Sequence, residues 1–261
     1  MKKRENRVAH SKPSNFSLGQ MYEFAAEFGR QSGNPDLLQK LIENKAKMIR
    51  VIAVARGDGL PKGYELAALI LGDDFITPEK VAKAYGKRYS DEQLKHLAES
   101  LPTEKALQWY RIHGYMLVPG PPKEMNLLEV RDLNKNFYSQ NNGWYAESNQ
   151  KFATDETVKS GEWLAIRKDE VPSSFNKTWR RQQELLAEDE HVPNATEVSY
   201  AVTVYHKIHG IYLLHDKYVR TTSVSAEGNH VFVGGFDENG LVFIHYWDKC
   251  RFDCFGIASK K

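Results

Sequence analysis

The chain has 261 residues, enough for one large domain or two ordinary ones, and 41% of them are hydrophobic, which favours a packed core over wholesale disorder. Its 36 basic and 34 acidic residues nearly cancel, which removes the electrostatic argument for a nucleic-acid partner. No apolar run approaches the ~20 residues of a membrane-spanning helix. Residues 1–20 carry no signal-peptide core, and two cysteines make no disulfide framework, so a soluble, cytoplasmic chain is expected.

The first half reads as helical. Ser17 and Gln20 form a capping box ahead of an apolar stripe through Met21, Phe24, Ala25 and Phe28. Asn34 and Pro35 fit the cap and first position of a second helix through Leu37, Leu38, Leu41 and Ile42. Met48 to Arg56 suits either a continued helix or a buried strand, and Gly57, Gly59, Pro61 and Gly63 break it. Further helix starts are predicted at Thr77-Pro78, at Ser90 with Gln93, and at Thr103, the last ending at Gly114. A proline-rich break comes next, at Val118 to Lys123. A domain boundary is expected near residue 140, giving a helical region over 1–139 and a second domain over 140–261, with the break at 119–122 as its competitor.

The second half reads as α+β. Asn194 and Glu197 open a helix whose face carries Val198, Ala201, Val202, Tyr205 and Ile208 and which Gly210 ends. The period then switches to two, predicting short antiparallel strands in I-Y-L-L, K-Y-V-R-T-T-S-V, H-V-F-V-G-G-F, G-L-V-F-I-H-Y-W and F-G-I-A-S, with turns at A-E-G-N and D-E-N-G.

Chemistry-bearing patterns are sparse. Cys250 and Cys254 stand four apart with His245 nearby, but three ligands fall short of the four of a structural zinc site, and apolar filling is their ordinary role. His206, His209, His215 and His230 share no face with an acidic third ligand and read as surface or satisfied core residues. Asp237, Glu238 and Asn239 are a fragment of a calcium loop without its spaced ligands, hence a turn. No phosphate loop, nucleophile elbow or H-E-x-x-H is present. No metal, cofactor or catalytic residue is expected.

The order of motifs is more specific than any one of them. G-E-W-L-A-I-R-K is followed by V-P-N-A-T-E-V-S-Y-A-V-T-V-Y, then Y-V-R-T-T-S, V-F-V-G-G-F-D-E-N-G-L and W-D-x-x-R-x-D-x-x-G-I-A-S. Over about residues 140–261 this resembles the variable proteins of diversity-generating retroelements, which carry a C-type lectin fold of the kind shared with formylglycine-generating enzymes. In that family a reverse transcriptase rewrites codons near the 3′ end of the gene, and rewritten positions cannot become Lys, Glu, Gln, Met or Trp. The resemblance makes Gly240, Leu241, Trp247, Asp248, Arg251, Asp253, Gly256, Ala258 and Ser259 a fixed framework within a variable segment of about 236–256. Val242, Ile244, His245, Tyr246, Cys250, Phe252, Cys254 and Phe255 are then the variable, ligand-binding positions, and all eight are permitted types.

The resemblance gives each part an expected role. Leu241 and Trp247 should anchor the core, Gly256 should pack closely, and Asp248, Arg251 and Asp253 should brace a loop, while the interleaved side chains form an exposed patch. Buried core is the competing expectation for the alternating Val242, Ile244 and Tyr246. The implied function is ligand-binding display, with an unidentified protein or cell-surface ligand, no catalysis, and homo-oligomerisation and surface or virion display left open. Two alternatives stand beside it: a copper oxidase of the formylglycine-generating type using Cys250 and Cys254, whose spacing is one residue short of the usual pair, and a purely structural or phage assembly module.

Overall fold

The computed structural model describes residues 62–261 continuously, together with single helical positions at 22, 23, 26, 27, 30, 43, 48 and 51. The expected Ser17 cap and Asn34-Pro35 start, and most of the ambiguous stretch at 48–56, lie outside the described residues. The chain divides into two compact units, Met1–Pro61 and Lys62–Lys261.

The second unit begins with four short helices, α1 (Gly63–Leu71), α2 (Pro78–Tyr85), α3 (Asp91–Glu99) and α4 (Glu104–His113). Their starts are local chemistry. The Thr77 and Thr103 hydroxyls accept from Lys80 N and Ala106 N, and Ser90 and Gln93 cap each other reciprocally. Gly114, at φ 73°, ends α4 in the left-handed conformation. The chain then enters β1 (Tyr115–Pro119), all five residues buried, where the proline-rich texture suggested only a break.

After β1 come β2 (Met125–Asn126), α5 (Leu127–Leu133), α6 (Phe152–Asp155), β3 (Thr157–Val158), β4 (Trp163–Arg167) and α7 (Trp179–Gln183). Strand β1 pairs antiparallel with β4, and β2 with β3. Both pairs join segments on opposite sides of residue 140, so the boundary expected there runs through two strand pairs, and the region expected to be helical supplies strands.

The long helix α8 (Ala195–His209) starts at the Asn194–Glu197 capping box and ends at Gly210, as its sequence predicts. Its burial is not confined to one face: ten residues between Ala195 and Tyr205 are buried, the small Ala201, Ser199 and Thr203 among them. A helix packed on every side needs no amphipathic stripe. It lies among α2, α5, β3, β4 and the sheet formed by β5 (Tyr218–Val224), β6 (His230–Gly234), β7 (Val242–Tyr246) and β8 (Phe255–Ile257). The order of that sheet is β7-β6-β5-β8. Its first two pairings are antiparallel, whereas β8 runs parallel to β5, a departure from the expected all-antiparallel set. With β7 and β8 on opposite edges, residues 247–254 must cross the sheet between them. The predicted I-Y-L-L strand is absent: Ile211 and Tyr212 are exposed and Leu214 takes a φ of 57°, leaving an irregular connection. The unit is thus a mixed α+β fold with short, mainly antiparallel strands.

Candidate ligand-binding face

Strand β7 alternates, and the alternation divides the proposed positions. Register pairs Val242 with Gly234, Ile244 with Phe232 and Tyr246 with His230, so these three share the face of Phe232, Arg220 and Phe255. Val242 and Ile244 are half-buried and Tyr246 is exposed. Phe243 and His245 take the opposite face. Phe243 belongs to the core there, and His245 stacks on Trp144 at 4.3 Å with Nδ1 3.1 Å from Ser225 Oγ. Beside β7 lies a groove of about 430 Å³ lined by Ser139, Gln140, Trp144, Tyr145 and the five β7 residues.

The crossing loop brings Cys250, Phe252 and Cys254 over the face. Phe252 is 44% exposed and lies tilted beside Tyr246, ring centroids 5.6 Å apart. Phe255 differs from the expectation. It is 6% exposed, with its ring 4.6 Å from Phe232 and 4.7 Å from Phe252, because β8 turns it under the loop.

The expected framework divides as well. Leu241, Ala258 and Ser259 are buried, and a Cβ on Gly256 would sit 2.4 Å from Glu170 Cβ, which confirms the close approach. Trp247 is not a core anchor: it is 65% exposed. It follows the last residue of β7 and its carbonyl accepts Cys250 N in the turn that starts the crossing, so its side chain leaves the sheet. Asp248, Arg251 and Asp253 are exposed, and only Asp248 approaches an interior group, with Oδ1 3.5 Å from His230 Nε2.

What holds the loop comes from elsewhere in the fold. Besides the β6–β7 ladder, six main-chain carbonyls in residues 243–255 accept from donors outside that stretch. Trp144 Nε1 donates to Phe243 O, Trp179 N to Asp248 O, Asn176 N to Phe252 O, Tyr218 N to Cys254 O and Gln182 Nε2 to Phe255 O, all between 2.9 and 3.0 Å. Arg220 Nη2 donates to Cys250 O at 3.3 Å. Each such bond contributes about 1 kcal/mol and none involves a side chain of the segment.

Arg220, which lies in the Y-V-R-T-T-S motif but to which the resemblance gives no role, is completely buried, with its guanidinium over Phe232 at 4.6 Å and near Trp179 at 5.9 Å. Burial pulls its pKa down to about 10, against the pull of Asp248, so it is cationic at neutral pH. The signal in the sequence is a charge in the middle of the apolar and hydroxylic strand Y-V-R-T-T-S-V. Burial likewise holds His230 below its ordinary value, with Asp248 opposing.

The cysteines are free and half-buried. Burial, with the nearby Asp253 carboxylate, raises the Cys254 thiol, the opposite of what a reactive thiolate requires. Among the described residues, Cys250, Cys254 and His245 do not converge as a ligand set. The only His, Cys, Asp and Glu donors among the described residues that come within 4.8 Å of one another as a trio are those of His215, Asp237 and Glu238, in which both His215 and Glu238 are exposed. No known family model, curated protein or solved structure matches the chain.

Proposed function

We propose that this protein is a ligand-binding display protein diversified by a retroelement, with a C-type-lectin-like domain that presents variable side chains to a protein or other surface ligand. The observation that carries the reading is the grip on residues 243–255, through main-chain carbonyls and by donors that the segment does not supply. A surface meant to accept many side chains needs a backbone whose position does not depend on them, and this attachment meets that need. Tyr246 and Phe252 add exposed aromatic area of the kind that recognition loops use, since large rings with few rotors lose little entropy on binding.

The test is substitution within the permitted residue types. Single changes at Val242, Ile244, His245, Tyr246, Cys250, Phe252 and Cys254 should move the thermal midpoint by only a few degrees, roughly the effect of 1 kcal/mol on a chain of this size. A spread of losses typical of core substitutions would refute the display reading. At the level of the gene, a near-copy of the last coding segment beside a reverse-transcriptase gene, mismatched at its adenines in the proposed codons, is the decisive support.

A further inference from the structure

Beneath the face, Arg220 has more donors than partners. Its Nη2 meets the Cys250 carbonyl, whereas Nε and Nη1, both buried, meet no acceptor among the described residues. An unpaired buried charge is expensive, and ring contacts offset only part of that cost. Phe232 and Trp179 stand against the guanidinium, while the loop carbonyl at Nη2 is a neutral acceptor at a long 3.3 Å. A carboxylate is a stronger acceptor for a guanidinium than a carbonyl.

The roof is the crossing loop, held by its main chain rather than by its side chains. Trp247, Asp248, Lys249, Arg251, Phe252 and Asp253 are all exposed. Of the bonds that hold the loop's main chain from outside, the one from Arg220 Nη2 to Cys250 O is the longest at 3.3 Å, so the Cys250 peptide can swing away while the bonds at Asp248 O, Phe252 O and Cys254 O keep the rest of the loop in place.

Resting on the binding-face reading, we propose that Arg220 is the fixed anchor of the site for an anionic group of the ligand. That group is a carboxylate of a partner protein, an acidic side chain or a chain terminus, which replaces the Cys250 carbonyl as that one peptide swings away. The variable positions then read what surrounds a constant charge. Asp248 of the loop acts on Arg220 electrostatically while lying against His230, and it is the internal competitor for the same guanidinium.

Sodium acetate is the probe, compared with sodium chloride at equal ionic strength on the full chain. Acetate should raise the thermal midpoint saturably beyond chloride. Arg220→Lys, which keeps the charge and loses the planar fork, should weaken that response about tenfold. No saturable response in the wild-type chain overturns the proposal, as does an Arg220→Lys variant that responds unchanged. Should Arg220→Lys fail to fold, Asp248→Asn serves in its place: removing the competitor should tighten acetate binding several-fold. An Asp248→Asn chain with a lowered midpoint and no acetate response assigns Asp248 as the partner and also overturns the proposal. The acetate response is independent of diversification. Its failure beside tolerant variable positions leaves the display reading standing, and its success beside intolerant ones leaves an anion site on an undiversified protein.

Discussion

Neighbouring residues of the last segment have opposite physical fates. Phe252 and Phe255 are three apart and their rings touch, yet one is 44% and the other 6% exposed. Phe255→Ala should therefore cost about 3 kcal/mol by opening a cavity against Phe232, and Phe252→Ala well under about 1 kcal/mol. Urea unfolding of the two variants checks the difference, and equal losses would contradict the assigned burial. If position 255 is diversified, it is the position where diversity costs stability. His230 contributes to the pH dependence alongside His206 and His209, which burial also holds below their ordinary values. Its folded pKa lies below the unfolded value, so its contribution is fully present above the unfolded value and is lost as pH falls through the folded one. The thermal midpoint should fall on acidification from about pH 7.5 to pH 5.5 and fall less in His230→Gln. Equal slopes would assign the acid sensitivity to another group.

At the scale of elements, the crossing loop depends on supports distant in the chain. Gln182, fully buried, donates to both Ser174 O and Phe255 O from α7. Gln182→Leu would leave two buried carbonyls unsatisfied, so a loss of about 2–4 kcal/mol is expected, far larger than from any exposed loop side chain. Chemical denaturation measures it, and a near-neutral variant would contradict the support. The caps are of the other kind, wholly local. Asn194→Ala removes the acceptor for Glu197 N and should cost α8 about 1 kcal/mol. Capping boxes at Ser90 and Asn194 were legible in the sequence because a cap is a contact between residues three apart. Strand β1 was not, because five consecutive buried residues carry no period of two, and only pairing with β4 makes them a strand.

At the scale of the molecule, the chain before residue 140 is part of the fold that carries the face. Tyr115, fully buried on β1, donates its hydroxyl to Glu190 and bonds Ser259, while Tyr138 bonds Ser199 on α8 and stacks on Phe243 of β7 at 5.9 Å. A fragment of residues 140–261 should consequently show no cooperative thermal transition, whereas 62–261 should unfold in one step. Circular dichroism on both fragments decides it, and a cooperative shorter fragment would restore a boundary at 140.

Legible in the chain alone was what depends on near neighbours: the helix starts and stops, the switch to a period of two after Gly210 and the turn at Asp237–Gly240. The resemblance separated Leu241, buried as expected, from the interleaved Val242, and marked Gly256, which packs against the distant Glu170. What depends on which segments meet was settled by the fold. Trp247 is exposed because the chain leaves the sheet there, Phe255 is buried because β8 returns beside β5, and the loop is braced by Arg220 and Gln182 rather than by its own Asp248, Arg251 and Asp253. The physical reason is the same in each case: burial is a property of the neighbours a crossing brings together, and no local period records them.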